Sequence, residues 1–291
     1  SPVTDGKLVW VNFGTRGVHC FDVDGNNVWS TDLIPHFTIR SFGEGSSPAL
    51  VEDSIIVVAD HEGQSKIFAF DKDTGDVRWE KARDETTSWA TPMPVMVDGR
   101  YQVVVNGTKQ IRSYDLETGD IVWECSGLTI LAIPSPVISD GKVFCTTGYQ
   151  GQVMMALNLD GKGDITESDS VVWKIEEGTP YISSPLLYNG RIYMFDSLKA
   201  NLSCYEASTG KPIYVKEKLE GLKQVYASPI GAAGRIYASD RKGTTIVLKE
   251  SDSIEVLATN TLEDKFDASP VVVGDELYLK GAKYLYCIAK S

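Results

Sequence analysis

The chain has 291 residues, 42% of them hydrophobic and 23% charged, with a formal net charge of −12. Such an acidic surface repels phosphate backbones and argues against nucleic acid as a partner. No apolar run approaches the roughly 18 residues that a membrane-spanning helix needs.

A Ser-Pro or Thr-Pro start returns at Ser1, Ser47, Thr91, Ser135, Ser184, Ser228 and Ser269, at spacings of 46, 44, 44, 49, 44 and 41 residues. Each start leads into a hydrophobic strand, a turn and further strands. A period of this length in an all-strand pattern predicts an all-β fold, a β-propeller of four-stranded antiparallel blades with one blade per repeat. The repeats follow one another without a linker, so residues 1–291 are expected to form a single domain.

The second copy shows one blade in full. Ser47-Pro48-Ala49-Leu50-Val51 predicts a short first strand, where a proline at the start does no harm. Ser54–Ala59 predicts a β-branched second strand, Lys66–Phe70 a third, and Val77 opens a fourth. Between the third and fourth lies a tight turn, Asp71 to Asp76, with Gly75 where a positive φ is needed.

The phrase Asp-x-x-Thr-Gly-x-x-x-Trp recurs at Asp71, Thr74, Gly75 and Trp79, and at Asp115, Thr118, Gly119 and Trp123. The first copy is one residue shorter (Asp22, Gly25, Trp29), and the fifth keeps Glu206, Thr209 and Gly210 but ends in Tyr214. The fourth carries an insertion between Asn158 and Trp173, and the sixth has lost its Trp. Trp29, Trp79, Trp123 and Trp173 fall on outermost strands and are expected to pack blade against blade, each burying on the order of 150–250 Å². The seventh copy offers three strands, so six complete blades and one partial blade are expected. An open edge is a liability, which suggests a chain trimmed from a seven- or eight-bladed parent.

Five cysteines occur without any Cys-x-x-Cys spacing. Cys20, Cys204 and Cys287 share one repeat position with Ala69, Ser113, Ala156 and Val247. That position is expected to take a small, buried side chain, cysteine serving as a small hydrophobe. His19, His36 and His61 fall on different blades or loops, without metal-ligand spacing. In the fourth-copy insertion, Asp160 and Asp164 are the candidate metal ligands, with oxygen donors at alternate positions as in a Ca²⁺ loop. Lys162 interrupts them, and the bland expectation is a solvated hairpin extension.

Just before each Ser-Pro start the chain passes from the outermost strand to the innermost strand of the next blade. These connections are expected at one channel mouth, and loops on one face of a rigid scaffold are where function tends to reside. They carry Phe42, Trp89, Ile133, Tyr181, Tyr226 and Phe266, with Arg40, Glu44 and Asp267 nearby. The candidate ligand-binding residues are therefore Arg40, Phe42, Trp89, Tyr181, Tyr226, Phe266 and Asp267, an aromatic set suited to a peptide, a sugar or a planar ligand.

The turn-and-Trp phrase, the Ser-Pro starts and segments such as GRIYMFD and GDELYLKG resemble the repeat of the PQQ-like β-propellers. That superfamily includes the quinone-dependent alcohol dehydrogenases and the BamB-type assembly lipoproteins, and the resemblance covers the whole chain. It implies an extracytoplasmic location, periplasmic or secreted, and a non-catalytic scaffold that binds a protein or small ligand at one face. It also leaves an alternative: a quinoprotein-type oxidoreductase or a carbohydrate-active, lyase-like propeller. The quinone-binding members carry adjacent cysteines, which this chain lacks, so neither PQQ nor Ca²⁺ is expected as a cofactor. A monomer is expected, as an independent protein or as one module of a larger chain.

Overall fold

The computed structural model describes residues 1–289. Among them the chain is all-β: the strands fall into seven sheets, with two single 3₁₀ turns at Gly14–Arg16 and Ile39–Ser41 and no α-helix. The sheets are the seven blades, mostly of four antiparallel strands, each following the next in chain order. In the second repeat the strands are Ala49–Val51, Ser54–Ala59, Lys66–Asp71 and Val77–Ala82, close to the bounds read from the sequence. The last sheet has three, Val271–Val273, Glu276–Lys280 and Leu285–Ala289.

The chain divides into two compact units, one of residues 1–146 and 155–172, the other of residues 147–154 and 173 onward. The first three sheets belong to the first unit and the last three to the second.

The recurring turn-and-Trp phrase is explained by what its two halves do. In the first unit the indole of Trp29 donates from Nε1 to the carbonyl of Lys72 at 2.9 Å, and that of Trp79 to Leu116 at 2.8 Å. Each acceptor directly follows the Asp of the next repeat's turn. The ring then lies flat on that turn's glycine: a Cβ on Gly75 would stand 2.5 Å from Trp29, and one on Gly119 2.6 Å from Trp79. Both glycines hold positive φ, 77° and 71°, so two independent constraints exclude a side chain there. In the second unit Trp173 donates to the Ala207 carbonyl at 3.0 Å and covers Gly210. The expectation that these tryptophans join neighbouring repeats thus acquires an atomic form, with apolar area and a satisfied indole N–H together.

A second link uses the Ser-Pro starts. The backbone N–H of Ser47 donates to the hydroxyl of Thr91 at 3.2 Å, and that of Thr91 to Ser135 at 3.0 Å. In the second unit Ser184 donates to the Ser228 hydroxyl at 2.9 Å and Ser228 to Ser269 at 3.0 Å. The hydroxyl is therefore the acceptor for the N–H of the preceding repeat. The proline that follows has no N–H needing a partner.

The fourth-copy insertion is not a solvated hairpin. Gly163–Asp164 pairs in parallel with Ile121–Cys125 and gives the third sheet a fifth strand. Leu159 and Ile165 are buried beside it, and the Leu159 carbonyl accepts the Trp123 indole at 3.2 Å. The insertion does in the fourth repeat what the tight turn does in the others, and it requires extra residues because it also pairs as a strand.

The small-residue position sits directly across from the aromatic of the fourth strand: Cys20 opposite Trp29, Ala69 opposite Trp79, Ser113 opposite Trp123, Cys204 opposite Tyr214. Those four are fully buried. Cys287, expected to be buried with them, is exposed, because no fourth strand lies across from it among the described residues. Burial pushes the Cys20, Cys125 and Cys204 thiols up to about 11 and raises that of Cys145 as well. Thiolate is the reactive form. At pH 7.4 a maleimide should label one thiol per native chain, at Cys287, and all five only after denaturation; intact mass before and after labelling reads the count. A second expectation concerns the indole–glycine contact. Gly119→Ala should destabilise the protein by a few kcal/mol through strain and the displaced ring, on the order of the 1–3 kcal/mol seen for overpacking. In a Trp79→Ala background it should cost measurably less, the two changes coupling in a denaturation cycle by about 0.5–3 kcal/mol.

Candidate functional site

In the first unit the connection between the first and second repeats, residues 32–48, is held by neighbouring segments at several of its peptides. The N–H of Phe37 donates to Nδ1 of His61 at 3.3 Å, and its carbonyl accepts from the N–H of Glu62 at 2.8 Å. The N–H of Ile39 donates to the Thr87 hydroxyl and that of Gly43 to the Thr38 hydroxyl, both at 2.9 Å. The Gly43 carbonyl accepts the Trp89 indole at 2.8 Å, and Glu44 accepts from the Thr15 hydroxyl. Within this frame Arg40 and Ser41 hold positive φ, 51° and 57°, a conformation that non-glycine residues keep only when their surroundings enforce it. The side chains the frame presents are exposed aromatics: Phe37 at 69% and Phe42 at 63% exposure. Trp89 is half-buried, its ring against Gly45, so it supports the loop from below.

Beneath the loop lie groups that the sequence reading kept apart. His36 and His61 come together with ring centroids 5.1 Å apart, and Nδ1 of His36 is 3.6 Å from Glu44. Nε2 of His61 meets the Gln64 carbonyl at 3.1 Å while Nδ1 accepts the N–H groups of Gly63 and Phe37; these bonds assign the proton to Nε2. Burial and the neighbouring His61 lower the pKa of His36. Deeper still, Asp60 and Arg83 form a two-point ion pair at 2.7 and 3.0 Å, both side chains fully buried. Ser88 donates to the same carboxylate at 2.7 Å, and the Tyr114 hydroxyl meets Arg83. Glu85 is likewise buried; it accepts from the N–H groups of Lys109 and Gln110 and from Arg112 at 2.8, 3.0 and 3.0 Å, and burial raises its pKa. Every charge here has its partners, as buried charges require. The network fixes the connection that follows the second blade, residues 83–92, against the turn at residues 60–65.

In the second unit Arg241 lies 4.3 Å above the Tyr226 ring and grips Asp267 through Nε and Nη2 at 2.6 and 3.2 Å. Tyr181 stacks on Tyr149 with centroids 5.0 Å apart. Arg241 and Tyr149 escaped the sequence reading because they sit on the loops between second and third strands, which reach the same end of each sheet as the connections do. Phe266, expected to face a ligand, is 1% exposed and packs edge-on against Tyr286 at 6.0 Å, so it belongs to the core. Ile133 is half-buried. In the insertion, one carboxylate oxygen of Asp164 accepts from the Thr166 N–H at 2.9 Å and from its hydroxyl, and Asp160 is exposed. Among the described residues no three His, Cys, Asp or Glu side chains converge as a metal site.

The sheets, indole contacts and Ser-Pro links define a β-propeller of PQQ-like repeats. A family model described as outer membrane protein assembly factor BamB matches residues 14–164, and the chain belongs to that family. BamB from Moraxella catarrhalis superposes with a TM-score of 0.74 at 16% identity, over 98% of this chain and 82% of that one. The computationally designed Ika8 protein superposes with a TM-score of 0.71 at 12% identity, over 100% and 83%. At these identities the likeness is one of fold. No curated protein matched the chain.

His36 gives a pH signature. Its folded-state pKa lies below the unfolded value of about 6.5, so the stability that its neutral form contributes is complete above that value and is lost as pH falls through it. Thermal midpoints between pH 7.5 and 5.5 should therefore fall more steeply for the wild type than for His36→Gln; parallel curves would show that His36 takes no part.

Proposed function

We propose that this protein is an extracytoplasmic, non-catalytic binding propeller that holds a partner protein through the connection at residues 32–48. The observation that carries the reading is the contrast within that loop. Its backbone is tied by hydrogen bonds to two neighbouring segments, residues 60–65 and 83–92, while Phe37 and Phe42 stand exposed with Arg40 beside them. Aromatic side chains and arginine supply most binding energy at protein interfaces, and a loop already ordered loses little entropy on binding. Trp89 acts as a support for the loop. In the second unit Tyr181, and Tyr226 with Arg241 and Asp267, offer further aromatic and charged contacts.

The family's description, outer membrane protein assembly factor, supports a protein partner engaged in that assembly and a place of action outside the cytoplasm. In this reading neither quinone nor Ca²⁺ takes part.

A photo-crosslinking residue placed at position 42 should trap one discrete partner in cells exporting the protein, identified by mass spectrometry as a component of outer-membrane assembly. The adduct should disappear with Phe37→Ser and persist with a surface change such as Lys218→Ser. An absent adduct, or one indifferent to Phe37→Ser, would sink the proposal.

A further inference from the structure

In the sixth repeat the fourth strand, Val256–Thr261, has no aromatic across from the small-residue position: Ala258 pairs with Val247, where Trp29, Trp79, Trp123 and Tyr214 stand in other repeats. Beside it, between the sixth and seventh sheets and wholly within the second unit, is a cavity of about 570 Å³. Tyr237, Thr245 and Val247 wall it on one side, and Leu277, Leu279 and Ile288 on the other. By strand register these last three correspond to Ile55, Val57 and Phe70 of the second repeat. In the first unit Ile55, Val57 and Phe70 belong to one cluster with Trp29. The apolar part of the wall that meets an indole elsewhere is therefore kept here, and the indole is missing.

We propose that this cavity is a binding site for a small, uncharged, planar aromatic molecule of indole type, seated where the other repeats place their own tryptophan. Its volume falls within the roughly 300–1,000 Å³ of small-molecule sites, and its apolar walls with a few polar groups match their usual chemistry. No charged side chain lines it, so a charged ligand would lose its hydration without a partner. Thr245 and Asn260 supply the polar groups that orient a ring N–H or hydroxyl. The site is separate from the loop proposed to hold a partner protein, and either can fail without the other.

Indole is the probe. Ligand-observed NMR titration should show saturable binding to the wild type, and Ala258→Trp should weaken it by at least about tenfold while raising the melting temperature, since it covers the apolar wall from within. Leu277→Trp fills the cavity from the opposite wall and is expected to abolish binding equally, which decides the question if Ala258→Trp does not fold. N-acetyl-tryptophanamide, an uncharged stand-in for a protein's tryptophan, should bind more weakly than indole; tighter binding would replace the small molecule with a peptide as occupant and overturn the proposal. It is equally overturned by a wild type that shows no saturation, or by a folded, filled variant that binds indole as before.

Discussion

In the first, second and fourth repeats the fourth strand carries an indole, Trp29, Trp79 or Trp173, that has no satisfactory place within its own sheet. The ring finds its apolar contact on the glycine of the next turn, and its N–H finds its acceptor one residue past that turn's first acidic residue, Asp71, Asp115 or Glu206. A single contact therefore fixes three residue types at once. The glycine must be glycine because both its φ and the approaching ring exclude a Cβ. The aspartate must stay because its carboxylate accepts the turn's own N–H groups, as Asp71 does for Asp73 and Thr74 at 3.0 and 3.1 Å, and so presents the carbonyl at the right point. The residue opposite the indole must be small, which is why Cys, Ala and Ser alternate there. In a solenoid-like array stability is mostly a sum of such nearest-neighbour terms, and this contact with the hydroxyl link between starts is what each term consists of.

That arithmetic makes plain what could be read from the chain alone. The Asp-x-x-Thr-Gly-x-x-x-Trp phrase is local, spans two strands and a turn, and so revealed strand order, turn type and the inter-repeat role of Trp29, Trp79, Trp123 and Trp173. What depended on a partner distant in sequence stayed hidden. The meeting of His36 with His61, and of Arg83 with Asp60, joins residues from a connection and a turn that share no periodicity. Phe266 looked like its neighbours at the other connections, yet the packing of Tyr286 against it turns it inward. The insertion carried donors at alternating positions, which suited a cation loop as well as a short strand; only the free edge of Ile121–Cys125 decides for the strand.

The candidate site inherits its rigidity from the same frame. A loop as long as residues 32–48 would ordinarily be mobile. Here several of its peptides are tied to residues of the second repeat, and the fully buried Asp60–Arg83 pair fixes the segment from which Thr87 and Trp89 reach the loop. A buried pair of this kind is weak evidence for stability but can specify one arrangement over others. Its position beneath an exposed aromatic loop fits the second role: it holds the geometry of a surface rather than the mass of the core.

The repeats also show how a structural position becomes available for something else. Where the fourth strand ends in Trp, the space between sheets is filled from within, and the glycine beyond it is fixed as well. The sixth repeat has Ala258 where others have Trp or Tyr, and its turn also lacks the Asp-x-x-Thr-Gly phrase, while Leu277, Leu279 and Ile288 keep the apolar wall. Leaving such a wall uncovered forfeits burial worth roughly 25 cal/mol per Å². The seventh sheet, which bears this wall, has three strands among the described residues and exposes Val271–Val273.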